Sequence, residues 1–79
     1  MTTLEILKSN PDYESFVKDG SQVNIIFYPI FGITIVFYKI VDSFESYFIA
    51  PYKHVSLENI KQAQSFVKDA LAIMKKDFR

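Results

Sequence analysis

The last third of the chain has the clearest periodicity, because apolar residues recur there at intervals of three and four. Ser56 suits the N-cap of a helix, and Val55 and Ile60 occupy the two positions that form a hydrophobic staple around it. No glycine or proline interrupts the pattern after this point. A long C-terminal helix is therefore predicted, with an apolar stripe formed by Leu57, Ile60, Ala63, Val67, Ala70, Leu71, Met74 and Phe78.

The first part of the chain predicts a short helical segment. Thr2 and Glu5 have the spacing of a capping box. Asn10 is a good N-cap with a proline after it, which favours a restart of the helix from about residue 11 to residue 18. Gly20 is a natural stop. One kinked helix and two short helices both fit this pattern.

The helical period disappears from about residue 22 to residue 50, where β-branched and aromatic residues dominate. Strands are predicted at about 22–28, 33–41 and 44–50, with turns at Pro29–Gly32 and at Asp42–Ser43, and Pro51 ends the third strand. Residues 1–79 thus form a single small globular domain of the α+β class. It has two layers, with a short N-terminal helical segment and a long C-terminal helix against a three-stranded antiparallel sheet, in the order α-β-β-β-α.

Side chains alternate between the two faces of a strand, so the strands predict two sheet surfaces. The face under the helices is uniformly apolar: Val23, Ile25, Phe27, Ile33, Ile35, Phe37, Phe44 and Phe48. The opposite side, called the outer face here, consists of Asn24, Ile26, Tyr28, Thr34, Val36, Tyr38, Glu45, Tyr47 and Ile49.

The outer face is more apolar than a solvated sheet surface should be. That excess predicts a partner-binding surface, for which the contact residues are Ile26, Tyr28, Val36, Tyr38, Tyr47 and Ile49. The same pattern also fits an N-terminal segment that folds across this face, and it fits tyrosines that stand at a tolerant surface.

The C-terminal helix predicts a second polar feature, a basic ridge of Lys61, Lys68, Lys75 and Arg79. At 100° per residue these four side chains fall within roughly 40° of one another. Such a row is commonly the solvated shoulder of a packed helix. Its alternative role is a contact line for phosphates or for an acidic protein surface.

Membrane and secretion signals are weak. The stretch 23–41 is about long enough to span a bilayer, but Pro29, Gly32, Asn24 and Lys39 interrupt it. The N-terminus has no basic region followed by an apolar run, so no signal peptide is expected. Because the chain also contains no cysteine, disulfides are absent and a soluble cytoplasmic protein is expected.

Charge and chemistry point away from catalysis. Nine basic and nine acidic residues give a formal net charge of zero, so no global field attracts a polyanion. His54 is the only histidine, and it has no second histidine or cysteine with which to form a tight metal site. Asp42 and Glu45 flank a turn without a paired carboxylate. We therefore expect no enzyme activity, no metal, no cofactor and no small-molecule substrate.

Three functional hypotheses follow. The first is a non-enzymatic protein-interaction module, a small inhibitor, an adaptor or a homodimer, that uses the outer face. The alternative is a nucleic-acid-binding domain that uses the sheet aromatics and the basic ridge. The element order of this chain resembles that of the double-stranded-RNA-binding domain. The resemblance implies a cluster of lysines at the start of the last helix. In this chain the matching residues 54–61 contain one lysine, Lys61, and the acidic Glu58. The third is a permanent subunit of a larger assembly.

Overall fold

The structure, a computed structural model, describes residues 2–27, 32–41, 43–49 and 54–78. Its elements are helix α1 (Thr3–Ser9), a π-helical segment (Ser15–Asp19), strands β1 (Asn24–Phe27), β2 (Thr34–Ile40) and β3 (Ser43–Ile49), and helix α2 (Leu57–Asp77). The predicted α-β-β-β-α order and the two-layer α+β architecture are confirmed. Predictions at Tyr28, the turn residues 29–31, Asp42, Pro51 and Arg79 lie outside the described residues.

The N-terminal helical segment forms as two pieces, because Asn10 ends the first of them. The capping box of α1 is present, with the Glu5 backbone N–H donating to Thr2 Oγ1 and the Thr2 N–H donating to the Glu5 carboxylate. The Asn10 side chain then accepts from the Asp12 N–H at 3.0 Å and starts the next turn. Gly20 ends the π-helical segment at φ 71°, in the left-handed region that glycine adopts without strain.

The three strands form an antiparallel meander with β2 in the centre. In β1, Ile25 lies opposite Phe37, and in β3, Phe48 lies opposite Ile35, so these four side chains share the face that packs on the helices. The tight connection between β2 and β3 includes Val41, whose φ of 54° is unusual for a β-branched residue.

Helix α2 begins as predicted at Ser56, whose Oγ accepts from the Asn59 N–H at 3.1 Å. Its buried residues are Ala63, Phe66, Ala70 and Met74. The predicted apolar stripe was therefore wrong at both margins: Leu57 is exposed, and Phe66, which the stripe omitted, is buried. Phe66 lies three and four residues from Ala63 and Ala70, so the stripe centre is displaced toward it.

The core lies between α2, the N-terminal helical pieces and the inner face of the sheet. The ring of Phe66 contacts both Phe27 and Phe37 edge-to-face, with centroids 5.9 and 6.2 Å away. Of the strand residues assigned to this face, Val23 is 73% exposed and Phe48 is 36% exposed, so their predicted burial was wrong. Val23 precedes β1, and Phe48 lies near the end of the outer strand β3, so both are at the margin of the sheet.

The side chain of Lys39 lies at one end of this core. The sequence analysis did not predict this position. Its strand position places it on the same side as Ile35 and Phe37. The ammonium lies over the rings of three phenylalanines, 5.6 Å from Phe16, 5.5 Å from Phe44 and 5.2 Å from Phe78. The aliphatic stem thus packs on apolar surface, and the charge is stabilised by the ring faces.

One long-range hydrogen bond joins the N-terminal part of the chain to the last residue of α2. The hydroxyl of Tyr13, a buried residue, donates to Asp77 Oδ2 at 2.8 Å. Burial raises the pKa of Tyr13, and the hydrogen bond to Asp77 raises it further. The folded protein therefore holds this proton more tightly than the unfolded chain does.

We expect Tyr13→Phe to lower the free energy of unfolding by about 1 kcal/mol at neutral pH, because it removes this hydrogen bond and keeps the ring. In the wild type, the contribution of Tyr13 is complete below its ordinary pKa of 10.0 and is lost as the pH rises above it. Urea unfolding followed by circular dichroism at neutral and alkaline pH measures both effects. If the unfolding free energy of Tyr13→Phe fell as much between neutral and alkaline pH as that of the wild type, the role assigned to the Tyr13 hydroxyl would be contradicted.

Candidate protein-binding surface

Strand register brings the outer-face residues together on the side of the sheet away from the helices. Ile26 lies opposite Val36, and Val36 lies opposite Tyr47, which makes one row across all three strands. Tyr38 lies opposite Asn24 and Glu45 in the next row, and Thr34 lies opposite Ile49 at the other end. Of the six predicted contact residues, five are in this group, and Tyr28 lies outside the described residues.

Val36 is the centre of the outer face, and it is only 3% exposed although it lies outside the core cluster beneath the helices. Its cross-strand partners on this face are Ile26 and Tyr47, which lie on either side of it. The outer face thus carries a continuous apolar row across the three strands rather than isolated apolar side chains.

The residues around Val36 remain open to solvent. Ile26 is 39% exposed, Tyr47 is 51% exposed and Ile49 is 48% exposed. The rings of Tyr38 and Tyr47 lie on neighbouring strands with centroids 5.8 Å apart and planes inclined at 52°. This contact orders two amphipathic side chains that have few rotatable bonds, which is the property that makes tyrosine efficient in protein interfaces.

The electrostatic character of the outer face is close to neutral. Among the described strand residues that point to this side, Glu45 is the only charged one. A surface of this kind offers apolar area, tyrosine hydroxyls and one carboxylate, and it offers no cation to a phosphate group.

The basic ridge lies in the opposite layer. Lys61, Lys68 and Lys75 are exposed on α2, and Arg79 lies outside the described residues. Within the described parts of the chain, the only ion pair joins Lys18 to Glu14 at 3.3 Å, so these three lysines have no carboxylate partner there. Because the sheet separates the ridge from the outer face, the two do not form one continuous surface.

Further candidate chemistry is sparse in the described residues. His54 is exposed in the segment before α2. No group of three or more histidine, cysteine, aspartate or glutamate side chains is placed there to hold a metal ion. Across residues 2–27, 32–41, 43–49 and 54–78, no helix combines the length and the hydrophobicity needed to cross a bilayer.

A cleft of about 340 Å³ lies between β3 and α2. The sequence analysis did not predict it. Its lining residues are Ser43, Phe44, Leu71, Ala72 and Lys75. Both elements were predicted, but the gap depends on the distance at which α2 crosses the outer strand, and side-chain periodicity does not encode that distance.

Comparison of the chain with protein families, with curated proteins and with solved structures finds no match.

The packing of the outer face predicts unequal costs for two truncations. Val36→Ala should lower the free energy of unfolding by about 1–2 kcal/mol, because it removes buried methyl groups. Ile49→Ala should cost less than about 1 kcal/mol, because half of that side chain is already solvated. Urea unfolding of both variants checks the difference. Equal costs would mean that the outer face is covered in solution.

Proposed function

We propose that this chain is a non-enzymatic protein-interaction module, acting as a small inhibitor or adaptor in the cytoplasm, and that its outer face binds the partner protein. The observation that carries the proposal is the packed apolar centre at Val36, surrounded by the half-exposed side chains of Ile26, Tyr47 and Ile49. Because Val36 is already buried in the free chain, the binding energy would come from the half-exposed side chains around it, and tyrosine is among the residues that dominate binding energy in protein interfaces.

The chemistry of the surface defines the partner. The partner should present a flat apolar patch with hydrogen-bond donors or acceptors that reach the tyrosine hydroxyls, and Glu45 favours a lysine or arginine at its margin. A cysteine-free sequence suits a reducing compartment, which supports the cytoplasmic assignment.

Site-specific photo-crosslinking in cells of the source organism tests the proposal. Benzoylphenylalanine in place of Tyr47 puts the reactive group on the outer face, and the same residue in place of the exposed Gln64 puts it on α2 as a matched control. We expect a discrete protein adduct from position 47 that is absent from position 64. Ile26→Ser combined with Ile49→Ser should abolish it, because the pair removes apolar area on both sides of Val36.

Three outcomes would contradict binding through the outer face. They are the absence of a protein adduct at position 47, the same adduct from position 64, and an adduct that persists in the serine double variant. An adduct with twice the mass of the chain would reassign the outer face to self-association only if the serine double variant abolishes it, because a second copy paired along β3 would also lie near position 47. A nuclease-sensitive adduct would favour the nucleic-acid alternative.

Nucleic-acid binding remains the second candidate because of the tyrosine pair on the sheet and the α2 lysines, which have no carboxylate partner within the described residues. The two features lie in opposite layers, so one strand cannot contact both without passing around the domain. Anisotropy of a fluorescein-labelled oligothymidylate and of a labelled double-stranded RNA, at low and high salt, tests this function. Binding that weakens with salt and falls on Lys61→Glu plus Lys68→Glu supports it, and negligible binding at low salt rejects it.

A further inference from the structure

The two outer strands of the sheet differ in how their edges are protected. β1 has only four residues, and the Asn10 side chain donates from Nδ2 to the Ile26 carbonyl at 2.9 Å, which occupies part of that edge. β3 has seven residues, and none of the described residues forms a hydrogen bond to the side of it that faces away from β2. A long unprotected edge is a template for another strand.

The hydrogen-bond pattern identifies the backbone groups on the free side of β3. The Lys39 N–H donates to the Val23 carbonyl at 3.4 Å, so Lys39 faces β1. In an antiparallel ladder successive residues face opposite neighbours, and therefore Tyr38 and Ile40 face β3. Their partners Glu45 and Ser43 face β2 in turn.

The N–H and C=O groups of Phe44, Ser46 and Phe48 consequently point away from the sheet. The same rule makes Ile26 face away from β2 on the other side of the sheet, in agreement with its bond to Asn10.

We propose that a second copy of this chain pairs with β3 in antiparallel orientation, about a two-fold axis at Ser46. This register places Phe44 opposite Phe48 of the second copy and Glu45 opposite Tyr47. It uses all the outward backbone groups of β3 and pairs the strand over its full length. An interface of this type is self-complementary, as closed dimers require.

Charge and overlap favour this register over its neighbours. Moving the second strand by two residues in one direction places Glu45 opposite Glu45, and directly opposed like charges are destabilising. Moving it by two residues in the other direction places Ser46 opposite Phe48 and shortens the paired segment. A displacement by one residue opposes outward groups to groups that already bond β2.

The cleft beside β3 supplies the second argument for self-association. Phe44 lines this cleft together with Leu71 and Ala72. Phe48 lies on the helix side of the sheet, yet 36% of it is exposed, and it is not part of the core cluster. In the proposed register, Phe48 of each copy lies opposite Phe44 of the other, at the mouth of this cleft. Dimerisation thus buries a phenylalanine that the monomer leaves half covered.

This dimer would join two three-stranded sheets into one continuous sheet, with both outer faces on the same side. It does not depend on the proposed binding function, because it uses the strand edge and the helix side of β3. A single strand pair with two small apolar contacts makes a limited interface, so a concentration-dependent dimer is expected.

Sedimentation equilibrium of the purified full chain over a wide concentration range tests the assembly. The wild type should rise from the monomer mass of 9.2 kDa toward twice that value. Ser46→Pro removes an outward N–H without removing a bond to β2, so it should remain monomeric. Asn24→Pro is the matched control, because Asn24 faces outward on β1, and it should dimerise like the wild type.

A wild type that stays monomeric at all concentrations overturns the proposal, and so does a loss of dimer on Asn24→Pro but not on Ser46→Pro. Circular dichroism shows whether each proline variant is folded. If Ser46→Pro unfolds, Phe48→Lys replaces it, since a charge at the mouth of the cleft should also prevent dimerisation.

Disulfide trapping tests the register independently, because the chain contains no cysteine. Residues that face each other in a hydrogen-bonded pair have Cα atoms about 5.5 Å apart, within the range of about 4.4–6.8 Å that a disulfide spans. Ser46→Cys should therefore form a covalent dimer on mild oxidation much faster than Glu45→Cys or Tyr47→Cys. Faster trapping at position 45 or 47, or equal trapping at all three, overturns the two-fold axis at Ser46.

Discussion

The packing of Phe66 against Phe27 and Phe37 is the contact on which the rest of the structure depends. It attaches the long helix to one side of the sheet, and the alternation of side chains then assigns every strand residue to a face. All the helices in the described parts of the chain pack on this one side, so no described helix covers the other side of the sheet. The strand side chains that are buried in the core thereby determine which strand residues lie on the outer face.

The consequences extend to the polar groups. Lys39 follows the inward alternation of β2 and has to reach solvent past three phenylalanine rings, which it does at the rim of the core. The buried hydroxyl of Tyr13 is satisfied by Asp77, and no buried side-chain nitrogen or oxygen among the described residues lacks a hydrogen-bond partner. Within the described residues, the apolar interior therefore contains no unpaired side-chain nitrogen or oxygen.

Local signals made most of the fold predictable from sequence. The capping box at Thr2 and the N-cap at Ser56 depend on neighbouring residues only, and both are present. The strands follow from β-branched and aromatic content, and alternation correctly placed Ile25, Phe37 and Phe44 in the core. Predictions of burial were wrong at positions where burial depends on how much of the sheet the helices cover.

Val23 and Phe48 were assigned to the inner face but lie at the margin of the sheet, where they are exposed. Phe66 was missed because the width of the buried stripe on a helix depends on what packs against it. For the candidate site, the sequence could place Val36 and Tyr47 on one face. It could not show that Val36 is buried, that Asn10 hydrogen-bonds to the edge of β1, or that a cleft adjoins β3, because each depends on tertiary distances.

The left-handed backbone at Val41 has a kinetic consequence. Branching at Cβ makes this conformation costly, and residues such as glycine or asparagine occupy it more readily in hairpin connections. The connection between β2 and β3 therefore opposes rather than nucleates the hairpin, and the hairpin has to draw its stability from contacts with the rest of the domain. A glycine or asparagine at position 41 would therefore be expected to make this hairpin form faster than valine does.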